Sequence, residues 1–149
     1  MMRKELDNLN KVLINLYQNI RKKEEEYLEN HFNNLTYNEV HTLEAISNSK
    51  EKSITALSKE LRITPGTISV CVDKLISKGY VKRINDDLDK RKVLIDITTK
   101  SIPVLQYHET FHEKLIEYAI KTLNLDITDL TKSLVNINEF LEEMGDKNE

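Results

Sequence analysis

Apolar residues recur every three or four positions through most of this 149-residue chain and alternate in one short stretch, a pattern that predicts helices around a single hairpin. From Leu6 to Leu28 the residues Leu6, Leu9, Leu13, Leu16, Ile20 and Tyr27 mark one stripe of a long helix, interrupted at Lys23 and ending near Asn30. Thr36-Tyr37-Asn38-Glu39 has the form of a capping box, Thr36 reaching forward and Glu39 reaching back, and it opens a second helix through about Ser47. Val40, Leu43 and Ile46 give that helix its buried side. Ser53 starts a third helix with Ile54, Leu57, Leu61 and Ile63 as core, and Arg62-Ile63-Thr64 makes the turn that follows.

The chain has only three Gly and two Pro, so their positions are informative. Pro65 suits a first helical turn, where no backbone N–H is needed, and Gly79 suits the left-handed position just past a helix end. They bracket a helix from Pro65 to Lys78. Ile68, Val72, Leu75 and Ile76 lie on one side of it, leaving Gly66, Thr67, Ser69, Val70, Asp73 and Lys74 outward. Tyr80 to Ile84 and Val93 to Ile97 read as short strands joined by an exposed tip, Asn85 to Lys92. Pro103 opens a helix to about Leu123, and Ile127 opens a last one in which Leu130, Leu134, Ile137, Leu141 and Met144 repeat at four-three-four-three spacing.

The predicted fold is therefore mainly α with a small β-hairpin wing, a winged helix-turn-helix. The first helix and the last two carry stripes too long for so small a core, which predicts a homodimer packed through them. The expected organisation is a single domain over 1–149, with a DNA-binding lobe at 35–100 and a helical dimerisation lobe formed by 1–34 and 101–149.

Composition narrows the class. No apolar run exceeds three residues, where a membrane span needs roughly 20, so no membrane partner is expected. The N-terminal residues lack the apolar core of a secretory signal and the single Cys71 excludes an internal disulfide, both of which predict a cytoplasmic protein. The net charge of −3 divides unevenly: residues 50–100 carry +5 and the remainder −8. A basic module on an acidic body fits a face for double-stranded DNA, because phosphate contact depends on local cation density. No Gly-rich or strand-borne catalytic loop accompanies the histidines, so an enzyme is not expected.

The run from Leu35 through Thr98 resembles the MarR family of dimeric winged-helix regulators. The resemblance rests on Ser58-Lys59-Glu60-Leu61, Lys78-Gly79-Tyr80-Val81, and Asp89-Lys90-Arg91 followed seven residues later by Thr98. It implies that the helix after Thr64 enters the major groove of a pseudo-palindromic operator while the wing reaches the adjacent minor groove. Carried over by position, the DNA-binding residues are Thr64, Pro65, Gly66, Thr67, Ser69 and Val70, with Lys74 farther along the helix and Arg91 in the wing. No outward Arg, Asn or Gln occupies the first two turns of that helix, and acidic residues follow at Asp86-Asp87, so modest affinity with a steep salt dependence is expected.

His108 and His112 stand one helical turn apart, a spacing that lets both imidazoles reach one ion. His41 and the Glu24-Glu25-Glu26 run could complete a tetrahedron. The stretch Ile102 to Lys114 is further similar to the zinc-responsive, AdcR/ZitR-like branch of MarR regulators. That similarity implies one Zn2+ site per chain formed by Glu26, His41, His108 and His112, with Glu24 or Glu25 as the alternative oxygen ligand, and a zinc-bound form that represses metal-uptake genes. The branch's second site uses a Cys and two Glu, and the corresponding positions here are Phe32, Val40 and Tyr107, so that site is expected to be absent, and His31 is expected at the surface. The rival within the same fold is a regulator answering to a small aromatic ligand or an oxidant; Cys71, the only thiol, reads as a small buried hydrophobe beside Val72.

Overall fold

The computed structural model describes residues 2–85, 89, 93–122 and 126–146. Six α-helices and one hairpin follow in the order α1 (Met2–Glu29), α2 (Tyr37–Asn48), α3 (Ile54–Leu61), α4 (Pro65–Ser77), β1 (Val81–Asn85), β2 (Val93–Ile97), α5 (Ile102–Thr122) and α6 (Ile127–Asp146), with a short 3-10 turn at Thr99–Ser101 before α5. Two compact units divide the chain, Met1–Phe111 and His112–Glu149.

The caps read in the sequence set the boundaries in the first unit. Thr36 accepts from Glu39 N, and the Glu39 carboxylate accepts from Thr36 N at 2.8 Å, closing the capping box that starts α2. Ser53 caps α3 by accepting from Ala56 N, and Arg62 ends that helix in the left-handed region at φ 54°. The chain then turns within two residues into α4, which starts at Pro65 and gives way to Gly79 at φ 80°. β1 and β2 pair antiparallel from Val81↔Ile97 to Asn85↔Val93. Ile95 N donates to Lys52 O at 2.8 Å, and the Lys52 ammonium pairs with Asp96, so the loop before α3 anchors the root of the hairpin.

Leu28, Leu35, Val40, Leu43, Ile46, Leu57, Ile68, Val72, Leu75, Tyr80, Val81, Ile95 and Val104 form one core inside this unit. Ile63, expected in it, is 39% exposed because the turn carries it past the end of α3. On α1 the apolar residues from Met2 to Tyr17 are all exposed, and only Glu24 and Leu28 are buried. In the second unit α6 exposes Leu134, Val135, Ile137, Phe140, Leu141 and Met144. Among the described residues, no helix is long and apolar enough to cross a membrane.

Candidate metal centre and nucleic-acid interface

α4 presents small and hydroxylated side chains at its N-terminal end. Thr64, outside the first turn, accepts from Thr67 N at 3.3 Å, and the two hydroxyl oxygens lie 2.9 Å apart. Thr64, Pro65, Gly66, Thr67, Val70, Asp73 and Lys74 are exposed, and Ser69 is half-buried. A Cβ built on Gly66 would meet nothing within 4 Å, so the protein itself does not require a glycine there. Arg91 lies outside the described residues.

Two contacts fasten α4 to α2. Lys78, the C-cap residue of α4, donates to both oxygens of the buried Glu39 at 2.7 and 2.8 Å. Burial opposes ionisation of Glu39, but the Lys78 ammonium and the Thr36 N–H outweigh it and hold the carboxyl below the usual range. The Cys71 thiol donates to Thr42 Oγ1 at 3.4 Å. Cys71 is half-buried and burial pushes its pKa up, so thiolate, the form that reacts with oxidants, is scarce.

The opposite side of α2 faces a cluster of histidines and carboxylates. Glu24, only 2% exposed on α1, places Oε1 2.7 Å from His41 Nε2 and 2.5 Å from His108 Nε2. The rings of His41 and His108 are nearly perpendicular with centroids 4.9 Å apart. Their other nitrogens turn toward Glu44, one helical turn past His41: His41 Nδ1 is 3.6 Å and His108 Nδ1 3.8 Å from its carboxylate. His41, Glu44 and His108 each offer a ligand atom within 4.8 Å of the others. The Glu44 contact raises the His41 pKa above the ordinary 6.5, burial opposes the rise, and the Glu24 charge adds to it.

Two Nε2 atoms converging on one carboxylate oxygen, with both Nδ1 atoms directed at a second carboxylate, is a donor set suited to a borderline cation such as zinc. Ligating histidines commonly use one nitrogen for the metal and direct the other at an orienting acceptor. His112 stands one turn beyond His108 on α5, half-buried, as the first residue of the second unit.

Of the three candidate glutamates, the structure brings Glu24 to the histidines. Glu26 pairs with Lys23 at 2.6 Å and leaves 45% of its side chain exposed, the Lys23 hydrogen bond lowering its pKa. Helical geometry accounts for the difference. Glu24 precedes the buried Leu28 by one turn and shares its face, whereas two residues of helix rotate Glu26 by about 200° to the other side. Glu25 is exposed.

The positions of the branch's second site are filled by packing. Tyr107 meets Phe32 edge-on at 5.6 Å and stacks on Tyr27 at 4.2 Å, and Val40 is fully buried. His31 is exposed, as expected, and bonds through its ring to the Tyr107 hydroxyl. Sequence reasoning missed Glu44, although its i,i+3 spacing from His41 was a usable signal. It also missed the Glu39–Lys78 pair and a second pair on α4, in which Arg83 of β1 donates to Asp73 Oδ1 at 2.6 Å.

The MarR family profile matches residues 35–93. Over 110 residues the chain is 30% identical to the uncharacterized HTH-type transcriptional regulator YpoP of Bacillus subtilis, covering 74% of each chain. It is 29% identical to the HTH-type transcriptional regulator SarZ of Staphylococcus haemolyticus over 64% of each chain, so it spans just under two thirds of that relative. The transcriptional regulator ZitR of Lactococcus lactis matches at 32% over 60 residues, 40% of this chain and 41% of that one. FabT of Streptococcus pneumoniae, solved in complex with DNA, superposes with a TM-score of 0.85 at 28% identity, covering 93% of this chain and 99% of FabT. With the winged helix-turn-helix architecture, these matches show that the chain belongs to the MarR family of transcriptional regulators.

Proposed function

We propose that the chain is a homodimeric, zinc-dependent repressor that reads a pseudo-palindromic DNA operator through α4 and the wing and controls metal-uptake genes. The observation that carries the metal half is the convergence of His41 and His108 Nε2 on one oxygen of the buried Glu24. Glu24, His41 and His108 hold the ion in this reading, with His112 as the fourth ligand that the zinc-responsive resemblance implies. A filled shell suits a sensor and leaves no position for a substrate water. Bound zinc supplies a structural tie among α1, α2 and α5.

The DNA half is supported by the FabT complex and by the surface of α4. Hydroxyls at Thr64 and Thr67, with the helix N-terminus, suit phosphate oxygens. Val70, exposed on the second turn, suits a thymine methyl. The dimer is supported by the apolar faces of α1 and α6, each left uncovered by its own unit.

α2 connects the two halves. One side carries His41 and Glu44; the other is fastened to α4 through Glu39–Lys78 and Thr42–Cys71. Fixing α2 against α1 and α5 therefore fixes α4, and by linkage DNA tightens metal binding by the same factor that metal tightens DNA binding.

Calorimetric titration of chelator-treated protein with zinc tests the reading. One site per chain tighter than micromolar supports it. Weaker binding removes the metal and leaves a MarR regulator of some other signal, with the oxidant version handicapped by the raised pKa of Cys71.

A further inference from the structure

The DNA-facing stripe of α4 carries an acidic residue. Asp73 is exposed one turn beyond Ser69, at a place where an uncompensated carboxylate would repel phosphate. Arg83 of β1 meets it: Nη2 lies 2.6 Å from Asp73 Oδ1, and the two side chains are 61% and 57% exposed. With Ser69, Val72, Ile54, Val93 and Ile95 the pair lines a cleft of about 240 Å³ between α4 and the root of the hairpin. An exposed ion pair of this kind adds little stability. Its placement suggests a different use.

We infer that Arg83 is a phosphate-contacting residue of the DNA face, aimed by Asp73. A guanidinium has five N–H donors in a rigid fork, and the Asp73 contact engages one of its nitrogens. The fork is exposed beside the outward face of α4, between the reading helix and the strand that leads into the wing. A duplex seated on both elements brings its backbone past this point. Holding the long side chain against Asp73 beforehand reduces the entropy lost on contact. The inference rests on the duplex-binding reading and adds to it an anchor that lies on neither the reading turn nor the wing tip.

The competing explanation is that Arg83 only neutralises Asp73. The two separate in a double-mutant cycle on a labelled duplex selected from a random pool by the wild-type dimer, with binding followed by anisotropy across salt concentrations. Arg83→Gln is expected to weaken binding about tenfold or more and to flatten the log K against log salt slope by roughly 1.8, about 0.9 for each of two arginines. Arg83→Lys is expected to keep the slope. In an Asp73→Asn background, Arg83→Gln is expected to flatten it by the same amount. A wild-type slope in Arg83→Gln overturns the inference, as does a loss that vanishes in the Asp73→Asn background. If the wild-type protein selects and binds no duplex at all, the function reading fails and this inference fails with it, a result distinct from either of the others.

Discussion

Replacing Glu24 with Gln separates the buried carboxylate from its exposed neighbours on α1. The Glu24 oxygen makes hydrogen bonds of 2.7 and 2.5 Å to two imidazoles in a site where only 2% of the residue is exposed. Hydrogen bonds to a charged group contribute about 1.5 to 3 kcal/mol each, and Gln retains one acceptor oxygen, so the loss is about 2 kcal/mol. For a chain of this length that corresponds to a melting point lower by roughly 4 to 8 °C. Removing the only anionic ligand should also weaken zinc by at least about 100-fold, or about 2.7 kcal/mol. The assay is a pair of circular-dichroism melts, one in chelator and one in excess zinc, with calorimetry for affinity. Glu26→Gln is the control: its partner is the solvent-exposed Lys23, and both melts should match wild type. The reasoning is refuted if Glu26→Gln abolishes the zinc-induced stabilisation while Glu24→Gln keeps it.

Three other outcomes follow from the same geometry. Gly66→Ala should leave stability unchanged or slightly raised, since a Cβ meets nothing within 4 Å, yet lower operator affinity measured by anisotropy, because only an approaching groove can object to the methyl. The folded-state pKa of His41 is raised, so the stability that its protonation contributes is complete below the ordinary 6.5 and fades as pH rises through the raised value. Zinc needs the unprotonated ring, and its apparent affinity should therefore fall as pH drops through that same value, starting above 6.5; melts in chelator and zinc titrations across pH check both signs. Leu13→Asp on α1 or Phe140→Asp on α6 should shift the protein from dimer to monomer in analytical ultracentrifugation, as both side chains are exposed apolar positions of the single chain.

The fold was legible wherever local chemistry decides structure. The capping box at Thr36–Glu39, Pro65 at the start of α4 and Gly79 in the left-handed region each act within a few residues, and each stands where the sequence places it. The glutamate was harder. The resemblance points to Glu26, with Glu24 as an alternative, and on a helix the two positions between them reverse the face. The step of four from Glu24 to the apolar Leu28 held the better signal, since it puts the two on one face of α1, and those two are the residues of the helix that are buried. The Glu39–Lys78, Lys52–Asp96 and Asp73–Arg83 pairs join residues 39, 44 and 10 apart, and no periodicity announces partners that only the packed chain brings together.

The most direct test of the account is operator binding by chelator-treated dimer, measured by anisotropy with and without one equivalent of zinc per chain and repeated on Glu24→Gln. The account predicts that zinc tightens wild-type binding by about 5- to 150-fold, the usual range for coupled sites, and leaves Glu24→Gln unmoved. Equal affinity of the wild-type protein in zinc and in chelator would contradict it.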